Sequence, residues 1–300
     1  MTERTRGVLE MVAAMAISGT IGWLVVVSGQ PVPSVVFWRC LFGALTLVPV
    51  CLMRGYFWSG TITPRQAGVA VLGGIALVAN WLLLFAAYSG ASISIATAVY
   101  NTQPFMLVGL GALFLGERPT LRKLGWLALA FGGVLLIVQA RPGQGSGTHY
   151  LAGVLLALGA AFCYALAALF AKRLKGVPPH LIALVQVSVG VAALWPLASL
   201  PEATGAAAAW TTLATMGVVH TGLMYILLYG AIQKLPTPVT GALSFIYPIV
   251  AIAVDRLAFG HALQPVQIAG AVMVLLAAAG MTLGWPWRRP APAAASQATR

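Results

Sequence analysis

Acidic side chains are scarce: five Asp and Glu stand among 300 residues, against 17 Lys and Arg, and charged residues make up 7% of the chain. A soluble domain normally carries about a quarter charged residues, so this composition excludes an ordinary water-facing surface. Cysteine is equally sparse. Cys40, Cys51 and Cys163 lie in apolar stretches without CxxC spacing or a nearby His, which argues against a disulfide framework or a metal site and leaves them as small packing residues. No GxxxxGK[ST], HExxH or GxSxG sequence occurs, so ATP-driven work and the familiar hydrolytic chemistries have no foothold and no cofactor is expected. An intramembrane enzyme would need a nucleophile–base or metal constellation, and four histidines spread along the chain do not assemble one.

What the chain has is apolar length. Sixty per cent of it is hydrophobic, the composition of a polytopic membrane protein whose partner is the lipid bilayer. The net charge of +12 does not point to nucleic acid, because the basic residues fall singly or in short runs between apolar segments. Those segments predict ten spans, at 7–27, 34–53, 66–88, 93–115, 122–140, 151–171, 179–200, 210–232, 238–259 and 265–285. The first is longer than a usual signal h-region and is followed by further spans, so it is read as a first helix. With a cytoplasmic N-terminus, the inside segments hold 14 of the 17 Lys and Arg, which predicts an inner-membrane protein with both termini cytoplasmic.

The stretch 93–115 organises this pattern. Its 23 residues span roughly 34 Å, slightly more than the hydrocarbon core, yet Asn101, Thr102, Gln103 and Pro104 sit at its middle. Proline offers no N–H to the carbonyl four residues earlier, so Pro104 leaves the Tyr100 C=O without its helical partner. An echo follows 144 residues later, where Pro248 centres the span 238–259 and Ala98, Leu113 and Gly116 recur as Ala242, Leu257 and Gly260. Gly7-Val8-Leu9 recurs as Gly153-Val154-Leu155 and Pro33 as Pro179, at a spacing of 146. The expected organisation is therefore a first repeat over 1–140, an external glycine-rich linker over 141–150, a second repeat over 151–287 and a disordered cytoplasmic tail over 288–300. An odd number of spans per repeat makes the two copies inverted. The fold class expected is all-α, ten transmembrane helices as two inverted five-helix repeats around a central cavity.

Ten spans in two halves, mid-helix prolines and the Gly-Glu-Arg-Pro corner at 116–119 together resemble the EamA family of the drug/metabolite transporter superfamily. The tyrosine-lined polar centres are most similar to its YddG-type amino-acid exporters. That resemblance implies a carrier of aromatic and some other neutral amino acids. The second corner reads Gly260-His261-Ala262, so a role for the corner carboxylate extends to Glu117 alone, where a cap or salt bridge is the reading preferred.

Few ionisable residues lie in the spans: Glu10, Arg39, His220, Asp255 and Arg256. Glu10 reads as an interfacial residue in a first helical turn. Arg39 either snorkels to the outer surface or pairs with Asp255 or a substrate carboxylate. His220 either serves protons or substrate, or is a neutral imidazole bonded to a neighbouring helix. Ser18, Trp81, Gln186 and Tyr225 share the midplane depth, and each reads singly as packing. No carboxylate lies near a span midpoint, which favours a zwitterion over an organic cation. The substrate is expected among Asn80, Tyr100, Asn101, Tyr164, His220, Ser244 and Tyr247, with carbonyls freed at Tyr100 and Ser244 accepting its ammonium. Pro104 and Pro248 are the expected hinges. Function is then export or facilitated passage of neutral, especially aromatic, amino acids by alternating access, with other metabolites or drugs as the rival cargo. A monomer can suffice.

Overall fold

The structure, a computed structural model, describes residues 2–57, 60–115, 120–139, 147–201 and 206–285. The corner at 116–119 with Glu117, most of the 141–150 linker and the tail fall outside them. The described residues form α1 (Glu3–Val27), α2 (Val32–Met53), α3 (Pro64–Tyr100), α4 (Gln103–Leu115), α5 (Leu121–Gln139), α6 (Gly147–Lys172), α7 (Pro179–Leu194), α8 (Ala206–Gly217), α9 (Met224–Lys234), α10 (Thr237–Leu243), α11 (Ile246–Phe259) and α12 (Pro265–Leu283). A π-helical turn, Val218–Leu223, joins α8 to α9. Among the described residues there is no strand, and seven helices are long and apolar enough to cross a membrane.

Starts and stops follow local chemistry. Thr63 caps α3 through its hydroxyl, with Gln66 reaching back to complete a capping box and Pro64 at the first turn. Gly260 and Gly284 end α11 and α12 in the left-handed conformation that glycine adopts without strain. The second half starts earlier than its sequence suggests: α6 begins at Gly147, so Tyr150 belongs to a helix, and its hydroxyl donates to the Ile137 carbonyl at 2.7 Å.

The 37 residues of α3 are two arms folded on each other. Were they one straight rod, Asn80 and Tyr100 would stand about 30 Å apart; instead their side chains meet at 3.2 Å. The reversal is at Ser92 (φ 59°, ψ 163°), a backbone region that residues other than glycine rarely enter. The loop anticipated near 88–93 is thus reduced to about one residue. The second arm, 93–100, ends at Asn101, and α4 resumes at Gln103, so the break expected at Pro104 is present. In the later span the corresponding break falls at Ser244 and Phe245, between α10 and α11.

The principal pairings, α3 with α6, α5 with α12, α1 with α9 and α11, and α2 with α7, all join helices from opposite sides of the chain's midpoint. Small residues permit the closest of these. A Cβ on Gly133 would stand 2.6 Å from the Gly270 carbonyl oxygen, and one on Gly270 would stand 2.6 Å from that of Gly133. A Cβ on Gly90 would lie 3.2 Å from the Gly153 backbone and collide with the His149 carbonyl. Backbones in such contact hold α5 on α12 and the reversal of α3 on α6.

Candidate functional site

Arg39 lies in the third turn of α2, about 10 Å into the helix, and is only 4% exposed. It does not snorkel. Its Nε donates to Thr221 Oγ1 at 2.9 Å, and its guanidinium carbon sits 4.2 Å from the Trp81 ring centre and 5.7 Å from that of Phe85. The expected pairing with Asp255 is absent. Among the described residues no carboxylate neutralises Arg39, and its terminal nitrogens have no protein acceptor. A guanidinium has five N–H donors, so four of them face space or rings. Aromatic faces attract such a cation but do not fill its hydrogen-bonding capacity.

Tyrosines surround it. Those of Tyr88, Tyr100, Tyr225 and Tyr247 lie within electrostatic reach of the guanidinium. Tyr100, at the end of the second arm, accepts from Asn80 Nδ2, which also donates to the Ala160 carbonyl at 2.8 Å. Its ring meets that of Tyr164 edge-on at 5.9 Å. Tyr225 and Tyr229 stack at 5.7 Å, one helical turn apart on α9, and Tyr229 packs edge-on against His180 at 5.5 Å. The Tyr247 hydroxyl stands beside those of Tyr88 and Thr97.

Tyr164 reveals the space these rings line. It shares a face of α6 with Ala157, Ala160 and Ala161, which are fully buried, yet Tyr164 is 40% exposed. Open space therefore borders the Tyr164 ring where it meets Tyr100, a chamber among these rings. Further along the same face Ala171 is exposed, and on α9 Tyr225 and Tyr229 are half-buried while Gln233 is exposed. The exposed ends of α6 and α9 beyond these rings are those that carry Lys172 and Lys234.

Near the break of α3 and α4, Asn80 Oδ1, Thr102 Oγ1 and Gln103 Oε1 are buried without a hydrogen-bond partner. The sequence marked Thr102 and Gln103 in the polar middle of 93–115 and Asn80 among the expected substrate residues. Among the described residues no backbone N–H reaches the Tyr100 carbonyl, in keeping with Pro104, whereas the Ser244 carbonyl accepts from Tyr247 N at 3.3 Å. The expectation that Ser244 presents a freed carbonyl is thus corrected: its segment tightens into a three-residue turn before Pro248 and uses that oxygen itself. Asn101 likewise turns inward, its amide donating to the Thr97 carbonyl at 2.7 Å.

His220 sits in the π-helical turn, 5% exposed. Its Nε2 lies 2.9 Å from Thr20 Oγ1 on α1, and its Nδ1 lies 3.4 Å from the Thr215 carbonyl. Both ring nitrogens thus face protein. The next residue, Thr221, holds Arg39 while donating to the Met216 carbonyl. The wide turn places both side chains toward the first helices, and such bulges recur at functional sites.

Asp255 is fully buried on α11. Its Oδ2 accepts from Ser94 N at 2.9 Å and from Ser94 Oγ at 2.5 Å, and its Oδ1 lies 2.9 Å from His261 Nδ1. A carboxylate from one side of the midpoint therefore caps the second arm of α3 two residues after the reversal.

Comparisons with known proteins agree with this architecture. The model of the EamA-like transporter family matches residues 5–139 and again 151–283. An uncharacterized transporter, YxxF, of Bacillus subtilis is 29% identical over 94% of this chain and 90% of its own. A "Probable amino-acid metabolite efflux pump" of Salmonella typhimurium is 28% identical over 86% and 85%. The threonine/homoserine exporter RhtA of Escherichia coli is 27% identical over 84% and 82%. A solved crystal structure 20% identical in sequence superposes with a TM-score of 0.62 over 93% of this chain and 97% of that one, a likeness of fold. With the family model covering nearly all of the chain, this protein belongs to the EamA-like transporter family.

Proposed function

We propose that this transporter exports neutral amino acids, aromatic ones included, across the inner membrane by alternating access. The observation that carries the reading is Arg39: a buried guanidinium with no carboxylate partner among the described residues and within electrostatic reach of four tyrosines. Burying an unpaired cation is costly, and a carboxylate-bearing substrate would supply the missing partner in bidentate geometry. The unpartnered oxygens of Asn80, Thr102 and Gln103 and the Tyr100 carbonyl supply acceptors for an ammonium. Tyr164, Tyr225 and Tyr229 offer faces to a flat side chain. The names of the Salmonella and Escherichia coli relatives support amino acids as cargo. An organic cation would meet Arg39 as a like charge, which disfavours a cationic-drug carrier.

The proposal includes ten crossings. The two arms of α3 serve as separate crossings, the second continued by α4, and α10 with α11 makes one crossing in the later half. Arranged as 1–140 and 151–287, these form two inverted five-helix repeats with both termini cytoplasmic. The exposed ends of α6 and α9 then face the cytoplasm, where an exporter loads, and a single chain holds a whole site. Pro104 and Pro248 act as hinges.

Counterflow in proteoliposomes tests the reading: vesicles loaded with unlabelled tryptophan or threonine should accumulate the labelled amino acid, and tryptamine, which lacks the carboxylate, should not compete. Equal competition by tryptamine would remove Arg39 from the site, and absence of counterflow for either amino acid would remove the cargo.

A further inference from the structure

The substrate chamber leaves Asp255 and His261 unused. Their pair sits where α3 reverses, at the end of the bundle away from Lys172 of α6. His261 is 55% exposed while the Asp255 it touches is not exposed at all, so the imidazole connects the surface to a buried carboxylate. A cleft of about 460 Å³ between α11 and α12 has Ser94, Arg256 and His261 in its lining among apolar side chains. On the far side of the carboxylate stands the start of the second arm, held by Ser94 N and Oγ. That arm ends at Tyr100 and at the break before α4.

We propose that Asp255 and His261 form a proton-binding site that couples proton entry to substrate export. The proposal rests on the transport reading given above. A proton taken up at His261 Nε2 lets the Nδ1 proton pass 2.9 Å to Asp255 Oδ1. Imidazole is then neutral again with its tautomer exchanged, the carboxyl is neutral, and one proton has been bound. Charge-assisted bonds are about twice as strong as neutral ones, so neutralising Asp255 loosens its hold on Ser94. The second arm, with Tyr100 and the unpartnered oxygens beside it, is then freer to move. Ser92, held in a sparsely populated backbone region, favours such release.

The surroundings leave the pair as the proton-exchanging unit at this place. Residues 11–27 of α1 and the whole of α12 contain no titratable side chain. From α3, Tyr88 lies within electrostatic reach of Asp255. From the pair's own segment, Arg256 turns its guanidinium to the Gly260 carbonyl at 2.9 Å and makes no ion pair with Asp255.

The test uses purified full-length protein in proteoliposomes with the membrane potential clamped. Labelled threonine is followed with and without an imposed pH gradient, beside counterflow in the same vesicles. In the wild type the gradient should raise accumulation above the counterflow level. In Asp255→Asn and His261→Gln the ratio of gradient-driven accumulation to counterflow should fall to its no-gradient value. A wild-type ratio in both variants overturns the proposal. Should Asp255→Asn not fold, His261→Gln decides, because its side chain is largely solvent-exposed. Infrared difference spectra between acidic and alkaline buffer give a readout free of substrate: a protonated-carboxyl band is expected in the wild type and lost in Asp255→Asn. Its absence from the wild type overturns the site whether or not threonine is carried, whereas failure of wild-type counterflow with the band present counts against the amino-acid reading alone.

Discussion

Asn80 and Tyr100, twenty positions apart on either side of the reversal at Ser92, are joined by a hydrogen bond of 3.2 Å. That bond ties the first arm of α3 to the end of the second, and the same amide anchors the pair to the Ala160 carbonyl on α6. Replacing Asn80 by Ala removes both bonds. Hydrogen bonds between membrane helices average about 0.6 kcal/mol each, so a loss of about 1 kcal/mol and a fall of a few degrees in the melting temperature are expected. Because Tyr100 is also freed, affinity for substrate should fall as well. A variant that melts like the wild type and binds as tightly would show that the arms need no such tie.

The contact of α5 with α12 makes a sharper stability prediction. Gly270→Ala places a methyl 2.6 Å from the Gly133 carbonyl oxygen, and overpacking of this kind costs about 1–3 kcal/mol. Gly109→Ala on α4 meets nothing within 4 Å and should be neutral or slightly stabilising, since alanine is the better helix former. Thermal unfolding of the two variants in detergent, side by side, checks the difference.

The two prolines should not behave alike. Pro104 leaves the Tyr100 carbonyl bare, while the Ser244 carbonyl before Pro248 is already bonded by Tyr247 N. Pro104→Ala therefore supplies an N–H to a waiting acceptor and stiffens the joint, so turnover should slow more than binding weakens. Pro248→Ala offers its N–H to an oxygen already in use and should slow turnover less. Rates and half-saturation values for both variants in the same vesicles separate these outcomes; equal slowing would contradict the asymmetry.

Much of this was legible in the sequence, for identifiable reasons. Apolar length marked the helices, and the missing proline N–H marked the break at 101–102. Depth alone gathered Asn80, Tyr100, Tyr164 and Tyr247. What depth cannot give is direction around a helix or toward a neighbour. Asn101 and His220 share the midplane, yet their side chains turn to the Thr97 carbonyl and to Thr20. Arg39 was read by its distance from the helix end, which favours snorkelling, whereas Trp81, Phe85 and Thr221 arrive from distant segments and enclose it. Its being the one cation within the predicted span 34–53 was the signal available. Ser92 gave none, because nothing local in Gly-Ala-Ser-Ile distinguishes a reversal from a loop.

Arg39 yields the most direct prediction. A carboxylate held by a desolvated guanidinium loses about 2–5 kcal/mol when that partner is truncated, a factor of roughly 30 to several thousand in affinity. Arg39→Gln should therefore nearly abolish tryptophan and threonine counterflow together, because both carry the same carboxylate. Lysine keeps the charge but loses the fork and the fit over Trp81, so Arg39→Lys should retain part of the activity. Removing a ring gives a contrasting pattern: Tyr164→Ala or Tyr229→Ala should weaken tryptophan by up to about tenfold, since an aromatic pair is worth about 0.5–1.5 kcal/mol beyond burial, and threonine much less. Arg39 also packs on Trp81 and Phe85, so its loss can disturb the helices. Thr221→Val serves as the control, removing the Nε acceptor while leaving the guanidinium in place. If Arg39→Gln and Thr221→Val reduce thermal stability equally but only Arg39→Gln loses both amino acids, the guanidinium acts on the substrate. If the two variants lose transport in proportion to stability, Arg39 is a packing residue and the carboxylate is bound elsewhere.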